Sequence, residues 1–246
     1  MATNQFNIFI VVILFHSLHL HTIQMTYLLH IDTSIDTGLV AITGDGVLLA
    51  SCMNTETRNH AATINNMINN VLADIKISFE DLSGIVVCAG PGSYTGLRIG
   101  MATAKGLCYA LDKPLILDNR LTLLAYHAQK KHHNEYTQYV SLLIARDKEY
   151  FISIYNNDLV CTLSPQHIME EQLNELIDKK EKTYIISNAP NDVIDNLKIN
   201  NLLINTDIKT ELTSWSFYAF EKYIDNNIVN LSKAEPFYLK QVYTHK

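Results

Sequence analysis

Ile85-Val86-Val87-Cys88-Ala89, followed at once by Gly90-Pro91-Gly92-Ser93-Tyr94-Thr95-Gly96 and then by Leu97 to Leu111, is the stretch on which the fold turns. A continuous apolar run of this length suits a strand buried on both faces. The seven residues after it are dense in glycine, proline and hydroxyls, the composition of a tight turn. The segment therefore predicts strand, turn, helix. Free backbone N–H groups at such a helix start, with the dipole behind them, favour an anion. Gly92 and Gly96 permit close backbone approach, while Ser93 and Thr95 add hydroxyls. The pattern is not a P-loop, which needs a lysine after its last glycine. Nor is it a Rossmann fingerprint, which reads GxGxxG after the first strand. The other reading of the same turn is packing, with glycines present because a neighbour lies close.

Upstream, Tyr27–Asp32, Gly38–Thr43 and Val47–Ser51 read as three short strands. Gly44-Asp45-Gly46 joins the last two, and its Asp-Gly step tolerates the positive φ of a hairpin turn. A helix is predicted from Asn59 to about Asp74, with Ile64, Met67, Ile68, Val71 and Leu72 on one face. Downstream, Pro114–Leu117 reads as a strand and Leu121 to Gln129 as a helix. The order is β-β-β-α-β-α-β-α, and it repeats. Tyr139–Ala145, Tyr150–Tyr155 and Leu159–Leu163 form a second meander. Ser164-Pro165 then supplies the N-cap and first-turn proline of a helix with Ile168, Leu173, Leu176 and Ile177 on its apolar face. Strand Thr183–Ile186, a short helix Asn191–Leu197, strand Leu202–Ile204 and an aromatic helix capped by Thr213, with Trp215, Tyr218 and Tyr223, complete the copy. Two copies of one order predict an α/β chain of duplicated ribonuclease-H-like domains, each a mixed sheet between helices. The first is expected over 25–126 and a second, smaller one over 127–212. A final helix, 213–230, packs back on the first, and 231–246 form a tail.

The composition agrees. The chain has 246 residues, 48% hydrophobic and 18% charged, which fits a globular protein and excludes disordered or collagenous classes. Lys plus Arg is 19 against 25 Asp plus Glu, a net charge of −6 and the opposite of a protein that grips nucleic acid unaided. Cys52, Cys88, Cys108 and Cys161 are spread without a CxxC pair, which excludes a zinc knuckle or a disulfide framework. Cys88 and Cys108 are expected as buried reduced thiols, and a cytoplasmic location follows. Residues 1–24 stand apart. Their apolar run, Ile8 to Phe15, is far short of the roughly 20 residues of a spanning helix. No Lys or Arg precedes Arg58 to form a signal's positive region, and Met25 stands just before the first strand. They are expected to be an extension outside the fold, with no membrane association. His16, His19 and His21 have no Cys or carboxylate beside them and are read as chance.

Asp32-Thr33-Ser34, at the end of the first strand, offers a carboxylate and two hydroxyls that can bind Mg²⁺ through water and donate to phosphate oxygens. The same residue types also build an ordinary Asx or Ser/Thr turn. The helix after the Gly-rich turn carries two small-residue stripes, Gly96/Gly100/Ala104 and Ala102/Gly106/Ala110. One suffices to pack on the chain's own sheet, which leaves the other as an interface hint.

His30-Ile31-Asp32-Thr33-Ser34, Arg58-Asn59-His60 and above all Gly90 through Gly100 (GPGSYTGLRIG) resemble the bacterial TsaB (YeaZ) family. The resemblance runs from Met25 to about Tyr155, and Pro236-Phe237-Tyr238-Leu239-Lys240 is similar to the family's closing segment. It implies a fold of the actin/Hsp70/sugar-kinase (ASKHA) type. It also implies a non-catalytic subunit that dimerises with and activates TsaD, the transferase of tRNA N6-threonylcarbamoyladenosine(37) synthesis. The ATPase TsaE and tRNA are then met through the complex, with a homodimer when the subunit is alone. The partner interface is expected on His60, Ile64, Met67, Ile68, Arg98, Gly100, Met101 and Ala104, so Gly100→Leu should block the heterodimer without unfolding the monomer. Phosphate or nucleotide contacts fall on Asp32, Thr33, Ser34, Gly90, Gly92, Ser93, Thr95 and Gly96.

No catalytic residue and no metal are expected. The positions corresponding to TsaD's metal-binding His-x3-His pair are Arg120 and Leu124, and His127, His132 and His133 offer no i, i+4 pair. The family's Asp-Ala-Arg reads Ile144-Ala145-Arg146, and the turn after Ile186 reads Ser187-Asn188-Ala189, without glycine. No cofactor is therefore assigned. Weak ATP or ADP binding at a complex interface is the nucleotide role left. The alternative is an ASKHA-type small-molecule kinase or ATPase using Asp32 and the Gly90–Gly96 loop. A peptidase would need a Ser/His/Asp set that the sequence does not offer.

Overall fold

The structure is a computed structural model describing residues 25–54, 59–132, 135–199, 202–206 and 211–240. The readings that fall on residues 1–24, Arg58, His133 and 241–246 lie outside the described residues. The elements run β1 (Tyr27–Asp32), β2 (Gly38–Gly44), β3 (Val47–Asn54), α1 (His60–Asp74), β4 (Leu82–Gly90), α2 (Tyr94–Leu111), β5 (Leu115–Asn119) and α3 (Arg120–His132). They continue with β6 (Gln138–Arg146), β7 (Glu149–Asn156), β8 (Cys161–Met169), a 3₁₀ turn (Glu170–Gln172), α4 (Leu173–Leu176), β9 (Thr183–Ser187), α5 (Asn191–Asp195), β10 (Leu202–Asn205) and α6 (Leu212–Ile224).

Among the described residues the strands form two five-stranded sheets, ordered β3-β2-β1-β4-β5 and β8-β7-β6-β9-β10. In each, the first three strands are an antiparallel meander and the last two join in parallel. One order used twice is the duplicated ribonuclease-H-like arrangement, an α/β fold of the ASKHA type. The hairpin between β2 and β3 turns on Asp45 (φ 48°) and Gly46 (φ 81°), the two positive values its tight turn requires.

The apolar stripe of α1 (Ile64, Met67, Ile68, Val71, Leu72) and the inner side of α2 (Met101, Ala104, Cys108) close on one face of the first sheet. The opposite face is covered by α6, with Trp215 and Ala219 against Leu28, Val86, Cys88 and Ile116. Trp215 Nε1 donates to Asp118 Oδ2 at 2.7 Å, and Lys222 Nζ donates to Asp118 Oδ1 at 2.8 Å. The end of β5 thus anchors a helix from the far end of the chain. α3 lies between the sheets, giving Leu123 to the first and Leu121, Leu124, Ala125 and Ala128 to the second. No helix among the described residues is long and apolar enough to cross a membrane.

One expected helix is a strand. Ser164 and Pro165 do not cap a helix; they lie inside β8, which runs Cys161–Met169 along the edge of the second sheet. The register against β7 slips where Ile154 faces Leu163 and Ile152 faces Gln166, so the proline sits at an irregularity on an edge strand, where its missing N–H is tolerated. Only the short α4 remains of the helix. The final helix ends at Ile224, and Val229 then bridges to Leu115.

Candidate functional site

β1, β4 and β5 are parallel, so their C-terminal ends deliver Asp32, Gly90 and Asn119 to one edge of the first sheet. This is the edge where open α/β sheets hold their ligands. Asn119 Oδ1 accepts from the Leu121 amide at 2.9 Å, which starts α3 and places Arg120 at its first residue. Arg120 NH1 donates to Asp32 Oδ2 at 2.7 Å and to Ser34 Oγ at 3.1 Å. The other carboxylate oxygen, Oδ1, accepts from the Ser34 amide at 2.8 Å and from Ser34 Oγ at 2.6 Å. The paired side chains are 1% and 2% exposed. Burial works against the charged guanidinium, but Asp32 beside it outweighs that and holds Arg120 protonated more firmly than an ordinary arginine. Cys88 Sγ lies 3.6 Å from Ser34 Oγ; burial, then the Asp32 charge, push this thiol up to about 12 and leave it inert.

The structure brings Asp32-Thr33-Ser34 and the Gly-rich turn together, against each other. The Ser93 amide donates to the Ser34 carbonyl at 2.7 Å, and Thr33 Oγ1 donates to the Gly96 carbonyl at 2.7 Å. Ser93 Oγ caps α2 by accepting from the Gly96 amide at 3.3 Å. A Cβ on Gly92 would run into the Ser34 carbonyl, one on Gly96 into the Thr33 carbonyl, and one on Gly100 into Thr33 Oγ1. Gly90 has φ +120°, and Thr95 is exposed on the first turn of α2. Gly96→Ala is expected to destabilise the fold by about 1–3 kcal/mol, as overpacking against backbone does. Gly106→Ala on the same helix meets open space and should stabilise by up to about 1 kcal/mol through helix propensity. Urea unfolding of the two variants side by side reads the difference.

These residues do not fit a magnesium nucleotide. A hydrated cation needs a carboxylate open to water, whereas both oxygens of Asp32 are engaged and its partner already supplies the positive charge. Among the described residues no group of three or more His, Cys, Asp or Glu is placed to hold a metal ion. A cleft of about 770 Å³ does open beside the turn. Asp36 and Ser93 line it on one side, Arg146 and Asn188 on the other, and Phe237 to Lys240 across it. Asn188 Oδ1 accepts from the Ile144 amide at 2.8 Å, so the glycine-free turn after β9 is fixed to the end of β6.

Seven of the eight residues expected at a partner interface are buried within the monomer. Ile64, Met67, Ile68, Met101 and Ala104 belong to the core against the first sheet, Gly100 abuts Thr33, and buried His60 donates from Nε2 to the Ile35 carbonyl at 3.0 Å. Arg98 alone of the eight is exposed. The outer surface of these helices instead presents Asn65, Asn66, Asn69 and Asn70 on α1 and Ala102, Gly106, Tyr109 and Ala110 on α2, with Tyr109 84% exposed. Gly100→Leu would therefore drive a side chain into the β1 turn and disrupt the monomer.

Sequence reasoning treated Arg120 only as a lost histidine. Its partner lies 88 positions away, and an arginine at the start of a helix carries no local signal of burial. Arg146 and Asn188 belong to segments that depart from the family pattern at neighbouring positions, Tyr238 and Lys240 belong to the closing segment, and the structure places all four on the cleft.

Comparisons with known proteins agree with this architecture. Residues 49–231 match the family model described as TsaD: tRNA N6-adenosine threonylcarbamoyltransferase. The tRNA threonylcarbamoyladenosine biosynthesis protein TsaB of Bacillus subtilis is 31% identical over 158 residues, 63% of this chain and 67% of that protein. The Escherichia coli TsaB is 31% identical over 131 residues, 53% of this chain and 55% of its own length. The matched region thus spans about half to two thirds of these curated relatives. The solved structure of YeaZ from Pseudomonas aeruginosa superposes with a TM-score of 0.73 at 21% identity, covering 87% of this chain and all of that one, and so shares the fold. With the family model covering most of its length and a curated relative matched across two thirds, the chain belongs to the TsaB/YeaZ family.

Proposed function

We propose that this chain takes part in synthesis of tRNA N6-threonylcarbamoyladenosine as a subunit that docks on a TsaD-type transferase and keeps it active, leaving the transfer to that partner. The names of its relatives support the process and the kinship to TsaD. The observation that carries the division of labour is the buried Arg120–Asp32 pair. Where the resemblance puts a metal-binding histidine of the transferase, this chain has a guanidinium locked onto the nearest carboxylate. The same pair weighs against a kinase or ATPase, which needs that carboxylate for its cation. The net charge of −6 suits a subunit whose partner supplies most of the RNA contacts.

A pull-down from the native host should recover the transferase, and depletion should remove threonylcarbamoyladenosine from tRNA. Modification of tRNA by the isolated chain, or robust ATP turnover by it, would overturn the reading. The docking face is the outer side of α2, with α1 beside it. Gly106→Leu adds a side chain where nothing lies within 4 Å, so the monomer should fold normally. It should weaken the heterodimer by about tenfold or more, the effect of about 1.4 kcal/mol at a close helix contact. Unchanged co-elution in size-exclusion chromatography would reject that face.

A further inference from the structure

The last described residues cross from one sheet to the other. The Phe237 amide donates to the Ala89 carbonyl near the end of β4 at 2.7 Å, and the Phe237 carbonyl lies over Gly90. Tyr238 packs on Tyr94 with ring centroids 5.0 Å apart. Its hydroxyl accepts from Arg98 Nε at 3.1 Å, and the Arg98 guanidinium lies 4.1 Å from the Tyr94 ring centre. All of these partners belong to the first unit. Leu239 packs against the cluster that joins Leu143 and Tyr155 of the second unit to Leu121 and Leu124 of α3, and Lys240 forms an ion pair with Glu149 at the start of β7. His167 Nε2 of β8 lies 2.6 Å from the same carboxylate and holds it in place.

Four consecutive residues, Phe237 to Lys240, thus contact both units and line the cleft between them. Neither sheet depends on this segment for its ladder, since it adds no strand to either. Phe237 and Tyr238 are 38% and 41% exposed, the thin burial typical of segments that open at a lower free energy than core strands. We propose that residues 236–240 are a releasable strap that sets the opening of the cleft, with Lys240 on Glu149 as its outer fastening and Tyr238 on Tyr94 and Arg98 as its inner one. While both hold, the two units keep a fixed separation; when Lys240 lets go, they swing about α3, which is packed on both. The strap also ties the cleft to the first turn of α2, so the same segment senses both.

Lys240→Met in the full-length protein tests this. Hydrogen exchange at the Phe237 amide, three residues from the substitution and bonded to the other unit, should rise several-fold, while exchange in the β1–β4 ladder, at Val87, stays unchanged. Spin labels at Asp36→Cys and Asp147→Cys, in a Cys52→Ser/Cys161→Ser background, should show a longer and broader distance distribution in the variant. Arg98→Met, which loosens the inner fastening, should give the same broadening. Unchanged exchange at Phe237, an equal rise at Val87, or an unaltered distance distribution would each overturn the proposal.

Discussion

Replacing Arg120 by methionine while Asp32 stays is expected to lower folding stability by about 3–5 kcal/mol, the usual effect of stranding one charge of a buried pair. The Asp32 carboxylate would keep its two Ser34 donors but lose its positive partner in a site only 1% exposed. Strain would spread to the Gly-rich turn, because the Ser34 carbonyl that accepts from Ser93 belongs to the same turn. The double variant Asp32→Asn/Arg120→Met should recover much of the loss, since the neutral amide keeps an oxygen for the two Ser34 donors and leaves no stranded charge. Urea unfolding of the wild type, the two single variants and the double closes the cycle. A single-variant loss below about 1 kcal/mol would mean the pair does not lock the strand ends.

The second large effect is a loss of stability in mild acid. His30 is buried on β1, its Nε2 3.0 Å from Thr43 Oγ1 and its ring edge-on to Trp215 with centroids 4.8 Å apart. Burial lowers its pKa from 6.5 to about 3. The unfolded chain therefore binds a proton that the folded chain refuses between those values, and stability falls as pH drops below 6.5. The limiting slope is about 1.4 kcal/mol per pH unit, so about 2 kcal/mol is lost by pH 5 from this group alone. His30→Gln keeps a hydrogen-bonding group and removes the titration. The difference between the wild-type and variant stability curves from pH 7 to 5 isolates the contribution, and parallel curves would exclude it.

Much of the fold was legible because its signals are local. The continuous apolar run Ile85–Ala89 marked the central strand, Gly44-Asp45-Gly46 marked the hairpin, and the repeat of element order announced the duplication. β8 was misread for an equally local reason. A serine followed by a proline is a good helix start by chemistry, and only the neighbouring strand β7 shows that the segment is an edge. The site divides in the same way. Glycine density correctly marked the turn after β4, but not what fills the space beside each glycine, which is the backbone of Thr33 and Ser34. Two small-residue stripes on α2 were visible, and spacing alone could not say which one faced the sheet. The partners of Arg120, Trp215 and Tyr238 lie 88, 97 and 140 positions away, beyond any pattern in the chain.

The route of α6 has a consequence for how the protein is made. The first sheet comprises residues 27–119, yet the helix that covers Leu28, Val86 and Ile116 is not synthesised until residues 212–224. The half translated first is thus sealed last. As the nascent chain leaves the ribosome, the earlier sheet waits with one oily side bare while the whole second sheet is produced, a window in which chaperone binding or sticking to other chains competes with completion.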